Sequence, residues 1–172
     1  MTFIRLAGCS VRGCSIRLEC DESPWATRER LSAAEIASRV TRAMVCITGG
    51  EPTDHDLGPL VSELRQRGKR VHIETSGSRH LAGVPFDWIT VSPKTNDYVQ
   101  RQGHTLKVVL RPEWTWTDVE RLDTGTQFFH RYIQPLSGAD NLAQVIAMLT
   151  SDRNVDGRWA LSVQGHKLWD LP

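Results

Sequence analysis

The chain has 172 residues, of which 40% are hydrophobic and 24% are charged, and this composition is typical of a folded globular protein. Its length predicts a single domain over residues 1–172. The net charge of +1 argues against nonspecific nucleic-acid binding and against an anionic membrane partner. No apolar run approaches the roughly 20 residues that cross a bilayer. The N-terminal sequence MTFIRLAGCS lacks a secretory signal layout, so we expect a cytoplasmic protein.

The order of apolar segments predicts strands that alternate with helices. Strands are predicted at residues 2–7, 43–48, 71–75, 88–91, 104–110, 128–134 and 158–163. Helices are predicted at residues 32–43, 57–68, from 115 onward, and 139–149. The first helix begins with a capping box, Ser32 with Glu35, and the third begins with Thr115 followed by Asp118. Segments 76–87 and 93–103 predict short or nonhelical connections. Several strands are apolar on both faces, which indicates an α/β fold with a parallel sheet.

Five of the predicted strands end in glycine, proline or polar residues. These ends read AGC at 7–9, TGGEP at 48–52, ETSG at 74–77, VSPK at 91–94 and IQP at 133–135. Ligands of parallel α/β sheets bind at the carboxyl ends of the strands, so the active site is predicted at this edge. For TGGEP the alternative is a plain strand-to-helix turn that Asp54 caps.

Three of the four cysteines, Cys9, Cys14 and Cys20, lie within twelve residues. In a chain expected to be cytosolic, such a cluster indicates metal binding or catalysis rather than a disulfide framework. Three such cysteines can hold an iron–sulfur cluster, with one iron open to a small molecule, or they can hold a zinc ion. The third alternative is that they are unrelated free thiols. Cys46 lies in the apolar strand 43–48 and is expected to be buried.

The motifs in chain order resemble those of one enzyme superfamily. FIRLAGC, a third cysteine followed by Asp21, TGGEP, ETSG, VSPK, LKVV, IQP and QGHK are similar to radical S-adenosylmethionine (SAM) enzymes. Within them, the ordered set resembles the 7-carboxy-7-deazaguanine synthase family over the whole chain. The resemblance implies a partial, reduced (β/α) barrel with few covering helices.

The resemblance also implies which residues bind the cofactors and the substrate. Cys9, Cys14 and Cys20 match the ligands of a 4Fe-4S cluster. The positions matched to SAM binding are Glu19, Asp21, Gly49, Gly50, Glu51, Gly77, Ser92, Pro93, Lys94, Gln134 and Pro135. Arg5, Thr75 and Pro172 match positions that contact the substrate.

The family reaction, as the resemblance implies it, converts 6-carboxy-5,6,7,8-tetrahydropterin to 7-carboxy-7-deazaguanine with loss of ammonia. The family uses Mg2+, for which Glu22 or Ser23 is the candidate ligand here. A homodimer and an electron donor such as flavodoxin or ferredoxin are further implied.

The sequence departs from the family pattern at several points. The usual cysteine spacing is C-x3-C-x2-C, and C-x14-C-x2-C also occurs, whereas this chain has C-x4-C-x5-C. Glu22 stands where the family has Thr or Ser, and the family segment SIQGEG does not precede Phe3. The alternatives are therefore a radical SAM enzyme that acts on another small heterocycle, a glycyl-radical activase, and a noncatalytic protein whose three cysteines hold zinc.

Overall fold

The computed structural model describes residues 1–17, 20, 29–81 and 83–165. The chain forms two compact units, Met1–Gln100 and Arg101–Pro172. Both units are α/β, with parallel strand pairs and few helices. This confirms the predicted fold class.

The first unit contains four strands and two helices. In chain order these are β1 (Thr2–Leu6), α1 (Ala33–Ser38), β2 (Met44–Gly49), α2 (Gly58–Gln66), β3 (Arg70–Thr75) and β4 (Trp88–Val91), with a short 3-10 turn at Pro52–Asp54. Each strand pairs in parallel with the next, so all four carboxyl ends lie at one edge.

The two faces of this four-stranded sheet differ in chemistry, because side chains alternate along a strand. One face packs into the hydrophobic core with α1 and α2, and its members include Ile4, Ile47 and Ile73. On β1, the residues on either side of the buried Ile4 are exposed: Phe3 is 65% exposed, and Arg5 is exposed as well. The second face is therefore exposed along β1.

The second unit contains three strands and two helices. They are β5 (Gln102–Leu110), α3 (Trp116–Asp123), β6 (Gln127–Pro135), α4 (Leu142–Leu149) and β7 (Ala160–Leu161), with a 3-10 turn at Val155–Gly157. β6 pairs in parallel with both β5 and β7. Its core includes Leu106, Val108, Val119, Ile133 and Val145, which are fully buried.

Several predicted elements are shorter in the structure, and three of them show why. The helix predicted at 32–43 ends at Ser38, and the buried Val40 then packs into the core ahead of β2. The helix predicted at 139–149 begins at Leu142, because Asn141 uses its side chain to bind Leu136 N–H and the Leu110 carbonyl. The strand predicted at 158–163 covers only Ala160–Leu161, since the main chain of Trp159 is bound by the Asn154 side chain.

In the described part of the chain, every helix is too short or too polar to span a bilayer.

Candidate functional site

The first feature of the site is the close approach of the chain after β1 to the turn after β2. Beyond the last strand pair, Gly50 N–H donates to the Leu6 carbonyl at 3.1 Å and Glu51 N–H donates to the Gly8 carbonyl at 2.9 Å. A Cβ on Gly49 would lie 2.0 Å from the Leu6 oxygen, and one on Gly50 would lie 2.1 Å from the Gly8 oxygen. The two glycines are thus required by backbone contact. Their predicted SAM contact stays a prediction.

Glu51 is a fully buried carboxylate at the centre of this edge. It accepts hydrogen bonds from the N–H (3.0 Å) and the hydroxyl (2.7 Å) of Thr53, from the Thr75 hydroxyl (2.6 Å), from Ser76 N–H (2.8 Å), and from the Ser76 hydroxyl. A buried charge requires such donors. The side chain therefore ties the end of β2 to the end of β3, and it also caps the 3-10 turn at Pro52–Asp54.

The ETSG segment completes this network. Thr75 is 3% exposed, and its hydroxyl also accepts from Gly77 N–H at 3.0 Å. Gly77 has φ +77°, and a Cβ there would meet Val91 Cγ1 at 2.8 Å. The carbonyl of Gly77 accepts from Val99 N–H and Gln100 N–H at 2.8 and 3.0 Å. The structure places Thr75 inside the protein, with its hydroxyl held by protein groups, and its predicted substrate contact stays a prediction.

Asp54 links this turn to the cysteine loop. Its carboxylate accepts from Ser10 N–H at 2.7 Å, from the Ser10 hydroxyl at 2.6 Å, and from Arg79 Nε at 3.2 Å. Partial burial by itself raises the pKa of Asp54, but the hydrogen bonds from Ser10 and Arg79 outweigh that effect and leave the pKa lowered. His55 lies beside it, with Nε2 2.8 Å from the Ala7 carbonyl. Asp54 is therefore not the cap of its turn, which the alternative interpretation of TGGEP expected.

The VSPK segment, at the end of β4, also binds the cysteine loop. Ser15 N–H donates to the Lys94 carbonyl at 3.0 Å, and Lys94 Nζ donates to the Ser92 hydroxyl at 2.7 Å. Ser92 and Pro93 are buried, and Ser92 N–H continues the strand pairing by donating to the Thr75 carbonyl at 2.8 Å. The structure thus brings the ends of β1, β2, β3 and β4 into one connected set of loops.

Cys9, Cys14, Cys20 and Cys46 are not joined in disulfides. Cys9 and Cys20 are exposed, Cys14 is half-buried, and Cys46 is buried as expected. Burial raises the pKa of the Cys9 thiol, and the nearby Glu51, Asp54 and Cys14 add to that effect.

The donor set suits an iron–sulfur cluster, because three free sulfurs on one loop supply three ligands. Among residues 1–17, 20, 29–81 and 83–165, no three His, Cys, Asp or Glu side chains are grouped closely enough to hold a metal ion. Within these residues the structure therefore does not group Cys9, Cys14 and Cys20 closely enough to hold a metal ion.

The remaining predicted site residues are distributed as follows. Arg5 is exposed on β1, opposite Thr48 of β2. In the second unit, Gln134 is 7% exposed near the end of β6 and accepts from the Ser162 hydroxyl at 3.4 Å, and Pro135 is the last residue of that strand. Five predicted residues lie outside the described part of the chain: Glu19, Asp21, Glu22, Ser23 and Pro172.

Sequence reasoning missed two residues of this edge, Ser10 and Arg79. The sequence does show one relevant pattern, because a serine directly follows both Cys9 and Cys14. The partner of Ser10 lies 44 residues away, so spacing within the loop does not reveal it.

Comparisons with known proteins give a consistent result, although no family model matches the chain. The chain is 34% identical to the 7-carboxy-7-deazaguanine synthase of Synechocystis sp., over 96% of this chain and 81% of the relative. It is also 34% identical to the protein of the same name from Escherichia coli K12, over 98% and 89% of the two chains. The crystal structure of QueE from Escherichia coli superposes with a TM-score of 0.68 at 29% identity, covering 94% of this chain and 84% of that one.

Proposed function

Because the chain belongs to the 7-carboxy-7-deazaguanine synthase family, radical SAM lyases of queuosine biosynthesis, we propose that its substrate is 6-carboxy-5,6,7,8-tetrahydropterin. The product is 7-carboxy-7-deazaguanine, and ammonia is lost. The observation that supports this most is the identity of 34% across nearly the whole chain. The anchored cysteine loop at the strand ends supports the same proposal.

Cys9, Cys14 and Cys20 are the residues that would hold the 4Fe-4S cluster. When bound, the cluster and SAM would supply reversible hydrogen-atom transfer to and from the substrate. The protein's part is to orient these groups. In this proposal the SAM-contacting positions at the strand ends of the first unit are Gly49, Gly50, Glu51, Gly77, Ser92, Pro93 and Lys94. The same role is proposed for Gln134 and Pro135, and for Glu19 and Asp21.

Substrate binding is assigned to Arg5, Thr75 and Pro172. Arg5 is exposed at the end of β1 and offers a guanidinium, which pairs well with the substrate carboxylate. For Thr75 the hydroxyl is occupied by Glu51 and Gly77 N–H, so its contribution is to shape the floor of the site through its methyl group and backbone. Mg2+ held by Glu22 or Ser23 belongs to the proposal, since carboxylate and hydroxyl oxygens are its usual ligands.

The remaining parts of the proposal concern the setting of the enzyme. We expect residues 1–172 to act as one radical SAM domain, in a cytoplasmic homodimer that receives electrons from flavodoxin or ferredoxin.

The test is anaerobic reconstitution with iron and sulfide, followed by addition of dithionite, SAM and the pterin, with and without Mg2+. Mass spectrometry then follows 7-carboxy-7-deazaguanine and 5′-deoxyadenosine. We expect 7-carboxy-7-deazaguanine from the wild type and neither compound from Cys14→Ala. The matched control is Cys46→Ala, which removes a buried thiol from β2 and retains activity.

Three outcomes contradict parts of the proposal. 5′-Deoxyadenosine without the deazapurine would favour another heterocyclic substrate. A colourless protein that leaves SAM intact would indicate that the three cysteines bind zinc or are free thiols. Activity that is equal with and without Mg2+ after chelation would remove the metal from the proposal.

A further inference from the structure

Both of the first two cysteines are followed by a serine that is anchored to a different strand end. Ser10 is bound through its N–H and hydroxyl to Asp54, which follows β2. Ser15 is bound through its N–H to the Lys94 carbonyl, which follows β4. The segment between the two anchors, residues 11–14, contains the extra residue of the C-x4-C spacing. The two ends of this segment are therefore tied down although its length differs from the usual one.

The Asp54 anchor is the stronger of the two. Its two oxygens accept two short hydrogen bonds from one residue, and bonds to an ionised acceptor are roughly twice as strong as neutral ones. The carboxylate is held in turn, because its side chain is only 16% exposed and Arg79 binds it from the segment after β3. Its own N–H donates to the Glu51 carbonyl at 3.1 Å. Asp54 is thus a rigid acceptor.

We infer that Asp54 is a positioning residue for the cluster ligand Cys9, an inference that rests on the proposed function. The Ser10 nitrogen belongs to the peptide bond that begins at Cys9. A hydrogen bond to this N–H therefore fixes the orientation of the peptide plane that contains the Cys9 carbonyl. Asp54 also places a negative charge next to the loop, and Arg79 partly balances it. A negative charge near a cluster disfavours the added electron, so Asp54 lowers the reduction potential.

Two substitutions separate these effects. Asp54→Ala removes both the acceptor and the charge. Asp54→Asn removes the charge but keeps an oxygen for Ser10 N–H, and its amide can donate to the Ser10 hydroxyl. The matched control is Asp56→Asn, an exposed carboxylate two residues away that accepts from Gly58 N–H at the start of α2.

The first readout is amide hydrogen exchange of residues 8–17 in the protein without cluster. We expect Asp54→Ala to speed this exchange about tenfold, the effect of losing one charge-assisted hydrogen bond. Asp54→Asn and Asp56→Asn stay within about threefold of the wild type. Unchanged exchange in Asp54→Ala, or equal acceleration in Asp56→Asn, overturns the inference. If Asp54→Ala does not fold, Ser10→Ala, which removes only the hydroxyl contact with Asp54, tests the same anchor, and exchange equal to that of the wild type then overturns the inference.

The second readout is the midpoint reduction potential of the reconstituted cluster, measured by electron paramagnetic resonance during a redox titration. We expect Asp54→Asn to shift the potential in the positive direction with iron content unchanged, whereas Asp54→Ala also lowers the iron content. A potential in Asp54→Asn equal to that of Asp56→Asn overturns the electrostatic part. A wild type that takes up no iron contradicts the proposed cluster site, and the exchange comparison then still decides whether Asp54 orders the loop.

Discussion

The Glu51 carboxylate, just after β2, accepts a hydrogen bond from the Thr75 hydroxyl at the end of β3, with 2.6 Å between the oxygens. Since Thr75 in turn accepts from Gly77 N–H, one buried acid fixes the conformation of the segment after β3. The acid of TGGEP is therefore an internal support for the neighbouring strand end.

Glu51→Gln is predicted to destabilise the protein by about 2–4 kcal/mol, because the amide nitrogen would face donors that now bind a carboxylate. Chemical denaturation followed by circular dichroism measures this loss. The control is Glu63→Gln on α2, a half-exposed residue paired with Arg67 at 3.6 Å, which should cost less than about 1 kcal/mol. A Glu51→Gln protein as stable as Glu63→Gln would show that the network contributes nothing.

A pH-dependent contribution to stability is predicted for Asp87. It accepts from Val71 N–H at 2.7 Å and from Arg65 at 2.9 Å, and these bonds, the Val71 bond first, lower its pKa from 3.8. A lowered pKa in the folded state means that the stabilisation is complete above the unfolded value and is lost as the pH falls through the folded value. Asp87→Asn should therefore lower the free energy of unfolding at pH 7 by about 1–2 kcal/mol.

The measurement is urea unfolding of wild type and Asp87→Asn at several values between pH 7 and pH 3. The difference should be constant down to about pH 4 and shrink below it. Arg65→Gln serves as a companion variant, since it leaves the Val71 bond in place and should cost less. A difference that does not change with pH would contradict the assignment.

A buried ion pair is predicted to stabilise the second unit. Asp123 binds Arg131 at 2.8 Å, with the two side chains 8% and 10% exposed, and it also binds Arg158. Asp123→Asn leaves a buried cation without its partner, so we expect a loss of about 3 kcal/mol. The exposed pair of Glu120 and Arg153, at 2.8 Å, gives the control, and Glu120→Gln should cost less than about 1 kcal/mol. Thermal unfolding compares the two, and equal losses would refute the prediction.

Structural features that depend on residues close together along the chain were predictable from the sequence. The capping box of Ser32 with Glu35 is present, and so is the pairing of Thr115 with Asp118, because each partner lies three residues away. The strand ends that carry TGGEP and ETSG lie at one edge, as parallel pairing requires. These features follow from local hydrogen bonding and from hydrophobic period.

Contacts between distant segments were not predictable in the same way. The bond of Ser10 to Asp54 spans 44 residues, and that of Arg65 to Asp87 spans 22. Similarly, a glutamate in a ligand-binding motif is equally compatible with a contact to SAM and with a buried internal network. Only the position of Thr75 and Ser76 around the carboxylate reveals the internal network.

Gly50→Ala is predicted to disturb the cysteine loop. A Cβ at this position would lie 2.1 Å from the Gly8 oxygen and 2.9 Å from Cys9 Cβ, so the backbone after β1 must move. We expect a loss of at least about 2 kcal/mol in stability and a lower iron content after reconstitution. The control is Gly58→Ala at the start of α2, where the nearest atom is 3.3 Å away on the exposed Asp56 side chain and alanine favours the helix. Denaturation curves and iron analysis of both variants decide the matter, and a Gly50→Ala protein that matches Gly58→Ala in both would show that the loop tolerates the added methyl group.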